Sequence, residues 1–213
     1  EQEINTLKPS DEFSKEEINR LKPHAGINQN LLRKRAEMLE AQARQLRWLA
    51  ATVHERATQD ALTKELDQDE SKIDLLRAAL LIARLDNGEI EIEHYLKTVD
   101  SMAATIQSAL KPKATEKDKL EAVGRYMFEQ SGFHGSRGDY YNRANSYLNE
   151  VIDDREGIPI TLAVLYMEIA NRLGIPLQGL PLPGHFAVGK IDDGKPTSII
   201  DVYDGAKVIS RKE

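Results

Sequence analysis

Gly-Ile-Pro-Ile-Thr-Leu-Ala at residues 157–163 opens an apolar helix, Pro-Gly-His-Phe at 183–186 opens a strand, and Ser-Ile-Ile-Asp-Val-Tyr at 198–203 makes a second strand. Asp192-Asp193-Gly194-Lys195 between the strands is a hairpin turn signal. The strands are therefore antiparallel neighbours that follow the helix. A helix start, then a strand with His, then a strand with Asp is the layout of a Cys–His–Asp acyl-transfer site. The chain has no cysteine. Either another residue attacks, or the site does something other than acyl transfer.

His185 follows Gly184, which lets another backbone come close. The other histidines (His24, His54, His94 and His134) fall on polar helices or loops. Alternation puts Ile199, Asp201 and Tyr203 on one strand face and Ile200 and Val202 on the other. A carboxylate on a buried face needs a partner, and His185 is the natural one: the Asp fixes the tautomer and stabilises the imidazolium. The local sequence also admits a His bonded to backbone and an Asp capping a loop.

The nucleophile of such a site stands at a helix N-terminus, where the dipole favours an anion. Here the helix starts at Ile158-Pro159, and Pro159 has no nucleophilic atom. Thr161 projects from a different side of the first turn and needs a base to attack; a helix-terminal hydrogen bond is its simpler role. Asn145, Tyr147, Asn149 and Arg155 precede this helix and are candidates to line a polar cleft beside His185. Asn145 is also a candidate cap for a helix over 146–154, and Arg155 a candidate bridge to Asp153 or Asp201. The acidic cluster Asp153, Asp154 and Glu156 lacks EF-hand or His–carboxylate spacing. The glycine loop at 132–138, with Arg137, fits no phosphate-binding fingerprint. No metal or cofactor is implied.

Upstream the period is helical. Ser14 and Glu17 have capping-box spacing for a short helix between Pro9 and Pro23. Residues 27–64 contain neither Pro nor Gly and predict a helix about 55 Å long at 1.5 Å per residue. Leu32, Leu39, Leu46 and Val53 recur every seven residues, as do Ala36, Ala43, Ala50 and Ala57, which makes a heptad seam. Such a helix packs on a neighbour in its own chain, or forms a coiled-coil arm that makes a homodimer or docks a partner. Helices are expected over 71–86, 90–110, 116–130 (capped by Thr115 and Asp118), 144–154 and 159–173, and strands over 184–191, 197–203 and 206–209. The fold class is α+β, mostly helical with a small antiparallel sheet at the C-terminus. Two domains are expected: 1–66, with the long helix, and 67–213, whose helical part is 67–174 and whose sheet is 183–209.

The formal net charge of −6 argues against nucleic acid as the main partner, since phosphate neutralisation wants a basic face. No apolar run approaches the roughly 20 residues of a membrane span. Without cysteine there are no disulfides or thiolate metal sites. A cytoplasmic location is expected, although a removed leader would leave no trace here.

Asn-Ser-Tyr-Leu-Asn-Glu-Val (145–151), Arg155, Gly-Ile-Pro-Ile-Thr-Leu (157–162), Leu-Gly-Ile-Pro-Leu (173–177), Pro-Gly-His-Phe (183–186) and Ile-Ile-Asp (199–201) resemble the bacterial SirB family of transglutaminase-like proteins. Leu75–Asp86 and Gly-Phe-His-Gly (132–135) are similar to it too, so the resemblance covers about residues 70–210. A related module occurs in an F-box protein. The resemblance implies a papain-like core, in which the nucleophile helix begins Gly-x-Cys with a small residue four positions on. Gly157, Pro159 and Ala163 match that spacing, with Pro159 in the Cys position, and His185 and Asp201 match the His and Asp. The implied function is a non-catalytic transglutaminase-like domain that binds a protein or peptide. The alternative is a hydrolase or acyl-transfer enzyme using His185 and Asp201 with Thr161 or an activated water. Family members often continue into tetratricopeptide repeats, and the helix at 27–64 is not a family feature.

Overall fold

A computed structural model describes residues 13–192 and 195–209. The chain divides into two compact units, residues 1–56 and 57–213. Pro9 and the turn residues Asp193 and Gly194 lie outside the described residues.

In the first unit, α1 (Lys15–Leu21) begins at the expected reciprocal cap. The Ser14 hydroxyl accepts the Glu17 amide at 3.2 Å, and the Glu17 carboxylate accepts the Ser14 amide at 2.8 Å. A single 3₁₀ turn over Lys22–His24 leads into α2 (Ala25–Leu66), which is 42 residues long. From residue 57 onward α2 belongs to the second unit, where Thr58 is buried and Leu62 packs on the core.

That core is built on helical stripes. Asp74 accepts the Arg77 amide at 2.9 Å and starts α3 (Leu75–Asp86), which buries Leu76, Leu80, Leu81 and Ala83. In α4 (Ile92–Ala109), Leu96, Val99, Ala103 and Ile106 recur at three- and four-residue steps and are buried. Thr115 and Asp118 form the expected reciprocal cap on α5 (Glu116–Gly124). The helix continues, but Arg125–Gln130 widens to a π-helical turn.

The expected helix over 144–154 is a 3₁₀ turn, Arg143–Ser146, followed by α6 (Leu148–Asp154). Asn142 rather than Asn145 supplies the cap, with its Oδ1 accepting the Ala144 amide at 3.1 Å. Two short strands that no periodicity announced, β1 (His134–Gly135) and β2 (Glu156–Gly157), pair in parallel. They bring the glycine loop alongside the residues that enter α7 (Pro159–Arg172).

α7 is the central helix. Leu162, Ala163, Leu165, Tyr166, Met167, Ile169 and Ala170 are all buried. The Tyr166 hydroxyl donates to the Leu120 carbonyl at 2.9 Å and fixes α7 to α5. The sheet beside it has the order β3 (Gln178–Leu182), β4 (His185–Asp192), β5 (Lys195–Asp201), β6 (Lys207–Ile209), antiparallel throughout. β3 is absent from the sequence reading because Pro176, Pro181 and Pro183 punctuate it. Pro181 is tolerated because β3 is an edge strand.

The C-terminal end of α7 holds a charge network. Arg172 Nη1 donates to Glu168 Oε2 at 2.7 Å and its Nε to Asp100 Oδ1 at 2.6 Å, which ties α7 to α4. Burial pushes the Glu168 carboxyl above its ordinary 4.5, Arg172 draws it back, and Asp74 adds repulsion. The folded chain then binds this proton more tightly than the unfolded chain. Stability from this group therefore falls as the pH rises from 4.5 through the folded value. Glu168→Gln is expected to flatten the stability–pH profile just above pH 4.5, as read by urea midpoints. Arg172→Ala leaves the buried carboxylate without its cation and is expected to cost about 2–4 kcal/mol at pH 7.

Candidate functional site

β4 and β5 pair with Val188 opposite Ile200, and both side chains enter the core. Alternation then turns His185 and Asp201 to the opposite face, as diagonal neighbours on adjacent strands. Gly184 precedes His185 with φ +71°, a left-handed turn that brings the ring onto the strand start. The structure thus brings the expected pair together: His185 Nε2 lies 3.0 Å from Asp201 Oδ1, with side chains 29% and 19% exposed.

This contact has ion-pair distance without hydrogen-bond alignment, and among the described residues His185 Nε2 has no hydrogen-bond partner. Asp201 Oδ1 also accepts the Asp204 amide at 3.1 Å. The carboxylate therefore caps the turn after β5 as well as facing the imidazole. The loop cap read from the sequence is thus present beside the contact with His185.

Thr161 is committed to the backbone. Its hydroxyl donates to the Asn145 carbonyl at 2.8 Å and accepts the Ile158 amide at 3.1 Å. This joins the first turn of α7 to the 3₁₀ turn over Arg143–Ser146. Pro159 occupies the first position of α7, where a missing amide costs nothing. Among the described residues, no hydrogen bond links this first turn to His185 or Asp201.

The other cleft candidates find separate partners. Asn145 is buried and its amide donates to the Asp139 carbonyl at 2.8 Å. The Tyr147 hydroxyl bonds to Asp86 and accepts from Arg143 at 3.0 Å, in an exposed cluster where Arg143 also pairs with Asp86. Asn149 is buried and donates to Glu150 at 2.9 Å, and among the described residues its Oδ1 has no hydrogen-bond partner. Arg155 bridges to neither Asp153 nor Asp201. It caps α6 with φ 65°, and its guanidinium lies 4.8 Å from the centre of the Phe133 ring. Asp153 instead accepts the Tyr95 hydroxyl at 2.6 Å, and burial together with this carboxylate pushes the phenol up to about 12.

One group was missed in the sequence. Tyr203 packs on Gly135, where a Cβ would overlap its ring, and its hydroxyl donates to the Ser136 carbonyl at 2.5 Å. The Ser136 amide donates to the Gly157 carbonyl at 2.9 Å, so the turn after Asp201 is tied through β1 to the entrance of α7. Ser136 itself is fully buried, and among the described residues its hydroxyl has no hydrogen-bond partner. A cleft of about 520 Å³ borders this tie, lined by Phe133, His134, Arg137, Glu156, Tyr203 and Asp204, among others. The sequence signal was present in a glycine two residues after Phe133 and a tyrosine two residues after Asp201, on the Asp201 face. Nothing local paired them. Among the described residues, no group of three His, Asp or Glu side chains is arranged to hold a metal ion, and no helix is long and apolar enough to cross a membrane.

The family model of the transglutaminase-like superfamily matches residues 93–213, more than half of the chain, and the chain belongs to that superfamily. A UPF0162 protein of Xylella fastidiosa is 38% identical over 146 residues, covering 68% of this chain and 51% of the relative. A UPF0162 protein of Vibrio cholerae is 27% identical over 139 residues, covering 65% and 52%. Human F-box only protein 21 is 38% identical over 85 residues, covering 40% and 13%. The chain thus spans about half the length of the UPF0162 relatives it matches. No solved structure matches it.

Two substitutions test this anatomy. Thr161→Val keeps the shape and removes both hydroxyl bonds, leaving the Asn145 carbonyl and the Ile158 amide only their long 3.5 Å bond to each other. It is expected to cost about 1–3 kcal/mol in urea unfolding with an unchanged slope. Gly135→Ala is expected to displace the Tyr203 ring and cost about 1–3 kcal/mol, read also as a change in tyrosine near-ultraviolet circular dichroism.

Proposed function

We propose that this member of the transglutaminase-like superfamily, within it a relative of the SirB group, is a non-catalytic module that binds a protein or peptide. The carrying observation is the start of α7. Pro159, in the position the family resemblance gives to the nucleophile, cannot react, and the nearby Thr161 hydroxyl is spent on two backbone groups. His185 and Asp201 then serve as partly buried polar contacts for a bound chain rather than as a base and its orienter. The exposed length of α2 supplies an assembly surface. The reading includes a cytoplasmic location, which cell fractionation tests.

A second reading draws on the 3.0 Å contact between His185 and Asp201: a hydrolase in which His185 activates water and Asp201 orients it. One comparison separates the two. Purified protein is assayed on peptide, amide and ester substrates beside His185→Ala and Asp201→Ala. The binding reading expects all three proteins to match the uncatalysed rate. Turnover by the native protein that disappears in both variants establishes the hydrolase instead. Peptides selected from a random library against the native protein are expected to bind His185→Ala at least about tenfold more weakly, a loss of about 1.4 kcal/mol. Equal binding would remove His185 from the contact surface.

A further inference from the structure

Between residues 36 and 53, α2 leaves its large apolar side chains in solvent. Leu39 is 48% exposed, Leu46 66% and Val53 60%. These leucines and Val53 fall at one heptad position, d, and Ala36, Ala43 and Ala50 at the other seam position, a. The pattern stops where its job changes: Asp60 takes the next d position, and α2 is already packed on the second unit's core through Thr58 and Leu62. The seam is therefore not a continuation of that core stripe. It is a separate apolar line, more than three heptads long, that ends at the boundary between the two units.

The flanking charges say what covers it. In a parallel, in-register pair each g residue faces the e residue five positions on in the second copy. Arg35 then meets Glu40, twice by symmetry, and Gln42 meets Arg47. Leu49 meets His54, and no like charges face each other between residues 35 and 56. In an antiparallel pair with Ala43 against Leu46, Glu40 meets Arg47, but Arg35 meets Arg56, again twice. The attraction is cancelled. Parallel pairing also matches each leucine layer with itself.

We infer that residues 32–57 of α2 pair with the same stretch of a second copy of this chain in a parallel, in-register, two-stranded coiled coil. This rests on the reading of α2 as an assembly surface and adds its occupant and orientation.

The full chain tests it. Sedimentation equilibrium is expected to show a dimer at tens of micromolar, and a monomer throughout that range overturns the proposal. Leu46→Glu removes two seam leucines per dimer and is expected to weaken association at least about 100-fold. Ala41→Glu, on the outer face, is expected to change it less than about threefold. Equal effects of the two overturn the seam. Because the chain has no cysteine, Ala36→Cys gives a probe that removes no leucine. Parallel pairing puts both copies of residue 36 in one layer, so mild oxidation is expected to cross-link this variant with itself. Cross-linking only when Ala36→Cys is mixed with Val53→Cys overturns the orientation. Peptide binding at His185 is measured on the same samples. A monomer that still binds peptide sinks the coil alone, and a dimer that binds none sinks the cleft reading alone.

Discussion

The Thr161 hydroxyl sits where two backbone groups meet that otherwise share only a long 3.5 Å bond, and the arrangement around it follows from that. A hydroxyl has one proton to give. Thr161 gives it to the Asn145 carbonyl and accepts the Ile158 amide with a lone pair. The entrance of α7 is thereby fixed to the preceding 3₁₀ turn. β1 and β2 pair beside it, and Tyr203 closes the loop back to the strand that carries Asp201. Thr161 is thus a structural joint at the start of α7. Freeing it to attack would cost both hydroxyl bonds and leave the Asn145 carbonyl and the Ile158 amide only their 3.5 Å bond.

His185 and Asp201 have a different economy. They lie on the sheet face that turns away from the Val188–Ile200 core layer, partly in water, and their contact is close without being aligned. Asp201 divides one oxygen between the imidazole and the Asp204 amide. A catalytic orienter holds its histidine along the N–H direction. This pair lacks that alignment.

Much of this was legible in the chain. Apolar spacing of three and four residues, the caps at Ser14 and Thr115, and Pro159 at a helix start each leave a local mark, and those elements stand where the mark puts them. The helix expected from residue 71 instead begins at Leu75, after an Asp74 cap that the sequence reading did not name. The nearness of His185 and Asp201 was legible because a hairpin turn and strand alternation leave few alternatives. What escaped depends on distant partners. Tyr147 finds Asp86, 61 residues away, and Tyr203 finds Ser136, 67 residues away. Arg155 turns to Phe133 instead of to an acid, because a left-handed cap re-aims its side chain. β3 was hidden by prolines that forbid a central strand and are harmless on an edge.

On the proposed binding reading, no activated nucleophile stands at the start of α7. Incubation with a β-lactone or fluorophosphonate probe, followed by intact-mass and peptide mapping, reads this directly. The expected result is an unmodified mass. A single adduct on Thr161 or Ser136 that forms in the native chain and is lost in His185→Ala would contradict the account.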